Sequence, residues 1–427
     1  MNDAPGRGPT RRVFLGALGA AGVASKAGCA RAAGSVEETG ADEDFWSDVA
    51  RAFDVDRSLV NLDNGAGSPT PAVVREAMRR RLSECDARPP SLMLHGALQP
   101  EIEAVRARLA AAFGADREEL AITRNSSESL QICQFGIDLR RGDEILTSTQ
   151  DYPRMIAAFR QRERREGVVL RQVKLPVPAE DPAEIVALYA RAITPATRLL
   201  LVCHMVNLTG QVLPVKEIVA MVRARGVPTI VDGAHALAHL DFRIRDLDCD
   251  YYGVSLHKWL AAPPGTGLLY VRREKIAGLW PLMAAPPGMD GDIRKFEETG
   301  TQSLAHKISI AEAVDFHLAV GGARKAARLV ELRDRWARRL LAASERIRLH
   351  TSLKPGLAGG MATFEVKGVD TRRLRAWLLD RHRILTQAIV HEDVVGLRVS
   401  PSVYTAPEEI DRFSAAIEHV LARGLPG

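Results

Sequence analysis

The chain of 427 residues is 46% hydrophobic and carries 58 lysines and arginines against 53 acids, a formal net charge of +5. That length and apolar content exclude global disorder and accommodate two or three domain-sized units; few aromatics beside plentiful glycine and proline favour an α/β enzyme over an all-β sandwich. Residues 1–33 hold five basic residues against the single acid Asp3, leaving 53 basic and 52 acidic residues elsewhere, so a basic nucleic-acid surface is not indicated and no nucleic-acid partner is expected.

Residues 1–33 read as an export signal. Thr10-Arg11-Arg12-Val13-Phe14-Leu15 leads into the small, apolar run Gly16 to Ala24, and Ala30-Arg31-Ala32-Ala33 follows as a cleavage site. Paired arginines before Phe-Leu resemble the twin-arginine signal, which implies the twin-arginine export machinery as a partner and a periplasmic location. The apolar run is too short and too rich in Ala and Gly to span a membrane stably, so no membrane anchor is expected. Cys29 suggests a lipoprotein, but Lys26 stands where such a cleavage box wants an aliphatic residue. The other cysteines, Cys85, Cys133, Cys203 and Cys249, show neither CxxC nor paired spacing and indicate no zinc ribbon or disulfide framework.

Residues 34–70 form an N-terminal arm, acidic and polar from Val36 to Asp48. The run Asn61 to Pro71 is turn chemistry, with Pro71 placed to open a helix and the Asn- and Gly-rich loop able to bring backbone close to a ligand. Short apolar runs then alternate with amphipathic ones. Leu120 to Thr123, Glu144 to Ser148, Val168 to Lys174, Arg198 to His204 and Thr229 to Asp232 are predicted strands, with Tyr251 to Ser255 and Gly267 to Val271 as two more. Glu128 to Leu139, Arg154 to Arg165, Pro182 to Ala192 and Val215 to Arg225 are predicted helices. Such alternation predicts a mainly parallel, seven-stranded sheet covered on both faces, a large domain over 71–300. Over 301–427 a smaller α+β domain is expected, with arginine-rich helices from His306 to Arg348, strands Met361 to Lys367 and Gly396 to Ser400 around a helix Thr371 to Arg381, and a final helix Pro407 to Arg423.

In such a sheet, ligands bind beyond the carboxyl ends of the strands, where residues remote in sequence converge. Asp232 ends the apolar run Thr229-Ile230-Val231, and a buried acid there needs a partner. Ser255-Leu256-His257-Lys258-Trp259 follows, with Lys258 in apolar surroundings that favour a neutral, nucleophilic amine. Ser255 and His257 can donate to a phosphate. Alone, Asp-Gly is a turn and Lys beside His a solvated pair; their succession, with Pro263-Pro264-Gly265-Thr266-Gly267 directly after, is more specific. His235 and His239 stand i, i+4, but no Glu follows His235 and the segment runs from strand to loop, so no metal site is expected.

These residues resemble the class V aminotransferase-like, fold-type I enzymes of pyridoxal 5'-phosphate, and among them the isopenicillin N epimerase-like group. The resemblance runs from about Asn61 to Arg423 and is strongest at Thr123 to Glu128, Val231 to His235 and Ser255 to Tyr270. It implies Lys258 as the Schiff-base lysine and Asp232 as the partner of the cofactor's ring nitrogen. Ser126 and Ser127 match the step opening a helix under the phosphate, completed by Ser255 and His257. Tyr152 matches a ring stacked on the cofactor face, and Asn207 and His235 match positions beside its phenolic oxygen. The resemblance also implies Arg398 as the grip on a substrate α-carboxylate, and Thr301 as a residue reaching the phosphate across the interface of a homodimer. Asn64, Ala66 and His95 lie in stretches like the family's substrate-side loops.

The reaction stays open among transamination, racemisation, elimination and decarboxylation. Cysteine desulfurases of this fold need a thiol on a loop before the carboxylate-binding arginine, and no cysteine follows Cys249, which argues against persulfide chemistry. The expected activity is on the amino group or α-carbon of an amino acid, or of one carried in a larger metabolite such as a siderophore. The alternatives are a C–S or other β-lyase of the same fold and a non-catalytic binding protein, the latter opposed by intact Lys258 and Asp232.

Overall fold

A computed structural model describes residues 42–89, 96 and 98–426. The predicted export signal and His95 lie outside the described residues. Among those residues no helix is long and apolar enough to cross a membrane.

All seven predicted strands of the large domain form. With β1 at Val60–Asn61, they are β2 (Leu120–Thr123), β3 (Glu144–Ser148), β4 (Val169–Val173), β5 (Thr197–Cys203), β6 (Thr229–Asp232), β7 (Tyr251–Ser255) and β8 (Gly267–Val271). Their order in the sheet is β2-β8-β7-β6-β5-β3-β4. The pairs from β4 through β3, β5 and β6 to β7 are parallel, whereas β8 runs antiparallel to both β7 and β2. Continuous apolar runs such as Leu199 to Val202 are buried on both sides, as a sheet covered by helices on its two faces requires.

The second domain has a four-stranded antiparallel sheet built from β9 (Ile347–Leu349), β10 (Ala362–Val366), β12 (Gln387–Val390) and β13 (Val395–Val399), in the order β12-β13-β10-β9. The short β11 (Ile384–Leu385) pairs instead with β1, in parallel. Helices Gly322–Ala343 and Pro407–Arg423 pack against each other, and Trp336, Phe364 and Phe413 interlock with ring centroids 5.3 to 6.0 Å apart.

Two boundaries differ from the sequence expectation. The stretch His306 to Arg348 is not one run of long helices: Leu304–Ile308, Ile310–Val320 and Gly322–Ala343 are separate, Gly321 breaking the last two at φ +89°, and β9 follows. The first two pack on helices Ala72–Asp86 and Gln99–Phe113, and Ile310, Val314 and Phe316 belong to the large domain's core. The division between domains therefore falls not at residue 301 but within the helix Gly322–Ala343, where Leu329 joins the large core and Leu332, Trp336 and Leu340 join the small one. The arm is divided as well. Trp46, Val49 and Phe53 pack into the large core, while Val60 and Leu62 pack into the small one.

Candidate active site

β5, β6 and β7 run parallel and deliver Cys203, Asp232 and Ser255 at their carboxyl ends, and all three line one cavity of about 490 Å³. Ser126, Ser127, Tyr152, Asn207, His235, His257, Lys258 and Arg398 line it too, with Ala66 of the Asn- and Gly-rich loop. Burial on this scale suits a cofactor or small-molecule site.

One wall is the start of the helix Ser126–Gly136. Asn125 caps it, its side chain accepting from Glu128 N at 2.9 Å, while Ser255 Oγ accepts from Ser126 N at 2.9 Å and donates to Ser126 Oγ at 2.9 Å. The helix lies close to the sheet because two facing positions are glycine. A Cβ on Gly253 would meet Leu130 Cδ2 at 2.7 Å, and one on Gly267 would meet Asn125 Cα at 2.6 Å. The start of this helix, the hydroxyls of Ser126, Ser127 and Ser255 and the half-buried His257 imidazole thus form a cup suited to an anion.

Lys258 lies behind this cup, and burial pushes its pKa down to about 8 against the opposing pull of the Asp232 carboxylate. Asp232 is itself raised by burial and accepts a hydrogen bond from Ala234 N at 3.0 Å. Lys258 Nζ stands 3.1 Å from His235 Nε2. His235 is held neutral, first by burial and then by Lys258, and Trp259 Nε1 donates to its Nδ1 at 3.4 Å. A neutral imidazole accepting at Nδ1 carries its proton on Nε2, and an Nε2–H can be received by Lys258 only through the lone pair of an uncharged amine. Burial, by lowering the pKa to about 8, brings the uncharged amine that this contact requires within reach of mildly alkaline pH. Ala238 and Ala261, three residues beyond His235 and Lys258, both hold positive φ, of 58° and 56°. Backbone strain of this kind gathers at functional sites.

Arg398, from β13 of the small domain, crosses to the same cavity. Its Nη1 donates to Asn207 O and its Nη2 to Asp63 Oδ1, each at 2.9 Å, leaving Nε and one hydrogen on each Nη uncommitted. Gly65 leaves room for the guanidinium, since a Cβ there would lie 3.1 Å from Nη2.

Two predicted site residues sit elsewhere. Asn64 is fully buried behind the loop: its Nδ2 donates to Asn61 O and Ser400 O, and its Oδ1 accepts from Asn61 Nδ2 and Tyr404 Oη. Its hydrogen bonds are spent on joining the loop to the small domain, and it does not line the cavity. Thr301 is exposed and lines a different cleft, of about 520 Å³, with Gly300 and Gln302. Sequence reasoning missed Cys203, Arg154, Gln387 and Ile389. Only the first carried a signal, being at the end of a predicted strand.

The family profile described as aminotransferase class-V matches residues 60–413. The chain belongs to that family. It is 34% identical to isopenicillin N epimerase of Streptomyces clavuligerus over 87% of this chain and 98% of that protein. It is also 27% identical to a probable cysteine desulfurase of Vibrio cholerae, over 84% of this chain and 93% of that protein. A solved structure of a C-DES variant, described as having glycine covalently linked to its PLP cofactor, superposes with a TM-score of 0.76 at 25% identity, covering 85% of this chain and 97% of that one. The shared fold accounts for both domains.

Proposed function

We propose that this protein binds pyridoxal 5'-phosphate through Lys258 and acts on the amino group or α-carbon of an amino acid, free or carried in a larger metabolite. The observation that carries the reading is a buried amine, a buried carboxylate and an anion cup opening into one cavity. The donor set fits the group. Ser126, Ser127, Ser255 and His257 would hold the phosphate, Asp232 the ring nitrogen, and Asn207, whose Oδ1 is buried without a partner, the region of the phenolic oxygen. When bound, the cofactor supplies an electron sink for bonds at the α-carbon.

The chain's own residues supply the rest. Arg398, its plane set by Asp63 and Asn207, offers its remaining N–H groups to an α-carboxylate. Lys258, its pKa lowered to about 8 and its amine held by His235, is the group to take and return a proton at the α-carbon. Proton removal and return, the work of an epimerase, is favoured over sulfur transfer. The 34% identity to isopenicillin N epimerase supports it, and no cysteine follows Cys249 to carry a persulfide.

Purified protein should be yellow, and Lys258→Ala should lose that absorbance. A colourless wild type that cannot be reconstituted rejects the cofactor. Incubation with an amine panel in deuterated solvent should place deuterium at the α-carbon of the true substrate, detected by mass; a keto acid formed together with free ammonia and the released β-substituent would point instead to a β-lyase. We further propose export to the periplasm by the twin-arginine route, on the strength of Arg11-Arg12-Val13-Phe14-Leu15, and a homodimer in which Thr301 serves the other subunit's site, on the strength of its exposure away from its own. Cell fractionation of an Arg11→Lys, Arg12→Lys variant and light scattering of the purified protein test the two.

A further inference from the structure

The charged side chains lining the cavity are Arg154, Asp232, Lys258 and Arg398. Three are already answered. Lys258 faces Asp232 and His235, Arg398 is paired with Asp63, and Asp232 accepts from Ala234 N. Arg154 is different. Among the described residues no hydrogen bond, ion pair or ring contact engages its guanidinium, although it lines the cavity beside Tyr152. The residues at its i+3 and i+4 positions are Ala157 and Ala158, so its own helix provides no acid. Asp151, three residues before it, is buried, with Oδ2 already taken by Thr147 Oγ1, Ser148 N and Ser148 Oγ at 2.7 to 2.8 Å.

The position is also costly for a cation. Arg154 stands in the first turn of the helix Pro153–Glu166, which has no acid in that turn, where the helix dipole is positive. Arg164 and Arg165 sit in the last turn, where the dipole welcomes them. An exposed arginine left unpaired at the mouth of a binding cavity is a second anion-attracting point, separate from Arg398.

We infer that the substrate carries a second anionic group, most simply a carboxylate, besides the α-carboxylate held by Arg398, and that Arg154 receives it. The inference rests on the amine-substrate reading above and narrows it to α-amino acids or conjugates with a distal acid. Gln387 and Ile389, on the same small-domain sheet as Arg398, form the neighbouring wall and suit the uncharged stretch of such a molecule.

The test is a spectral titration of the purified, cofactor-loaded protein with a series of α-amino dicarboxylic acids of increasing length, each beside its ω-amide of equal size. At least one acid should bind about tenfold more tightly than its amide, the size expected of a hydrogen-bonded charge pair. Arg154→Gln should erase that difference while leaving the amide's affinity and the cofactor's own dissociation constant unchanged. The preference should also shrink as salt is raised. Equal binding of acids and amides throughout the series, or loss of affinity for both alike in Arg154→Gln, overturns the inference. So does weakened cofactor retention in that variant, which would place Arg154 on the phosphate instead. A spectrum that no amine perturbs defeats the amine-substrate reading itself, and the inference with it.

Discussion

Replacing Lys258 by methionine should make the cofactor-free protein more stable, and the gain should depend on pH. Burial lowers the folded-state pKa of Lys258 from an ordinary 10.5 to about 8. The unfolded chain therefore binds more protons between these values, so the stability of the wild type rises with pH across that interval, and the full penalty is felt below about pH 8. A displacement of this size corresponds to about 3 kcal/mol at pH 7, at roughly 1.4 kcal/mol per pH unit, and to about 1 kcal/mol at pH 10. Lys258→Met retains most of the volume and removes the ionisable group, so its advantage in urea denaturation should be about 3 kcal/mol at pH 7 and should fall toward about 1 kcal/mol at pH 10. Capture of added cofactor by the wild type should rise with pH to a midpoint near 8. Asp232→Asn should move that midpoint down, because the carboxylate favours the charged amine, and Arg398→Met should move it up. A pH-independent stability difference, or a capture midpoint near 10, would refute the claim that burial lowers the pKa of this amine.

Arg398→Ala should weaken binding of an α-amino acid by roughly 10–100-fold, read by titration, while leaving cofactor absorbance in place, since the carboxylate grip is lost and Lys258 is retained. Asp393→Ala should loosen the small domain over the site: its buried carboxylate accepts from Thr149 Oγ1 at 2.5 Å and pairs with Lys174 Nζ at 2.8 Å, tying the β12–β13 turn to the large domain. A loss of about 1–3 kcal/mol in denaturation with a raised substrate KM is expected, and faster hydrogen exchange in that turn should accompany it. Trp336→Ala should cost about 3–5 kcal/mol, measured by urea midpoint, because the ring fills the small core between Phe364 and Phe413. Gly210→Ala should prevent normal folding or cost several times the usual surface substitution, since Gly210 has φ +76° and a Cβ would fall 1.9 Å from Met361 O.

Much of the site was legible because this architecture turns strand order into position. An acid after Thr229-Ile230-Val231 and a lysine after the next strand must both emerge at one edge of a parallel sheet, whatever the intervening chain does. The helix under the anion cup was legible for a similar reason, Asn125 being a good cap three residues before Glu128. Asn64 misled because Asn in a Gly-rich loop has the same appearance whether it faces a ligand or ties two domains together. Only its four hydrogen-bond partners, two of them more than 330 residues away, distinguish the cases. The break at Gly321 was hidden by helical periodicity that continues on either side of it.

The sequence by itself determined what depends on neighbours along the chain: the apolar strands, the amphipathic helices, the caps, and the residue types that end each strand. The tertiary structure alone decided what depends on neighbours across it. It set the antiparallel β8 between β2 and β7, divided one helix between two cores, turned His235 toward Lys258 with its tautomer fixed by Trp259, and left Arg154 unpaired at the cavity. Periodicity is a local property of backbone geometry, whereas the protonation and pairing of a side chain are set by which groups long-range packing brings within a few ångströms of it.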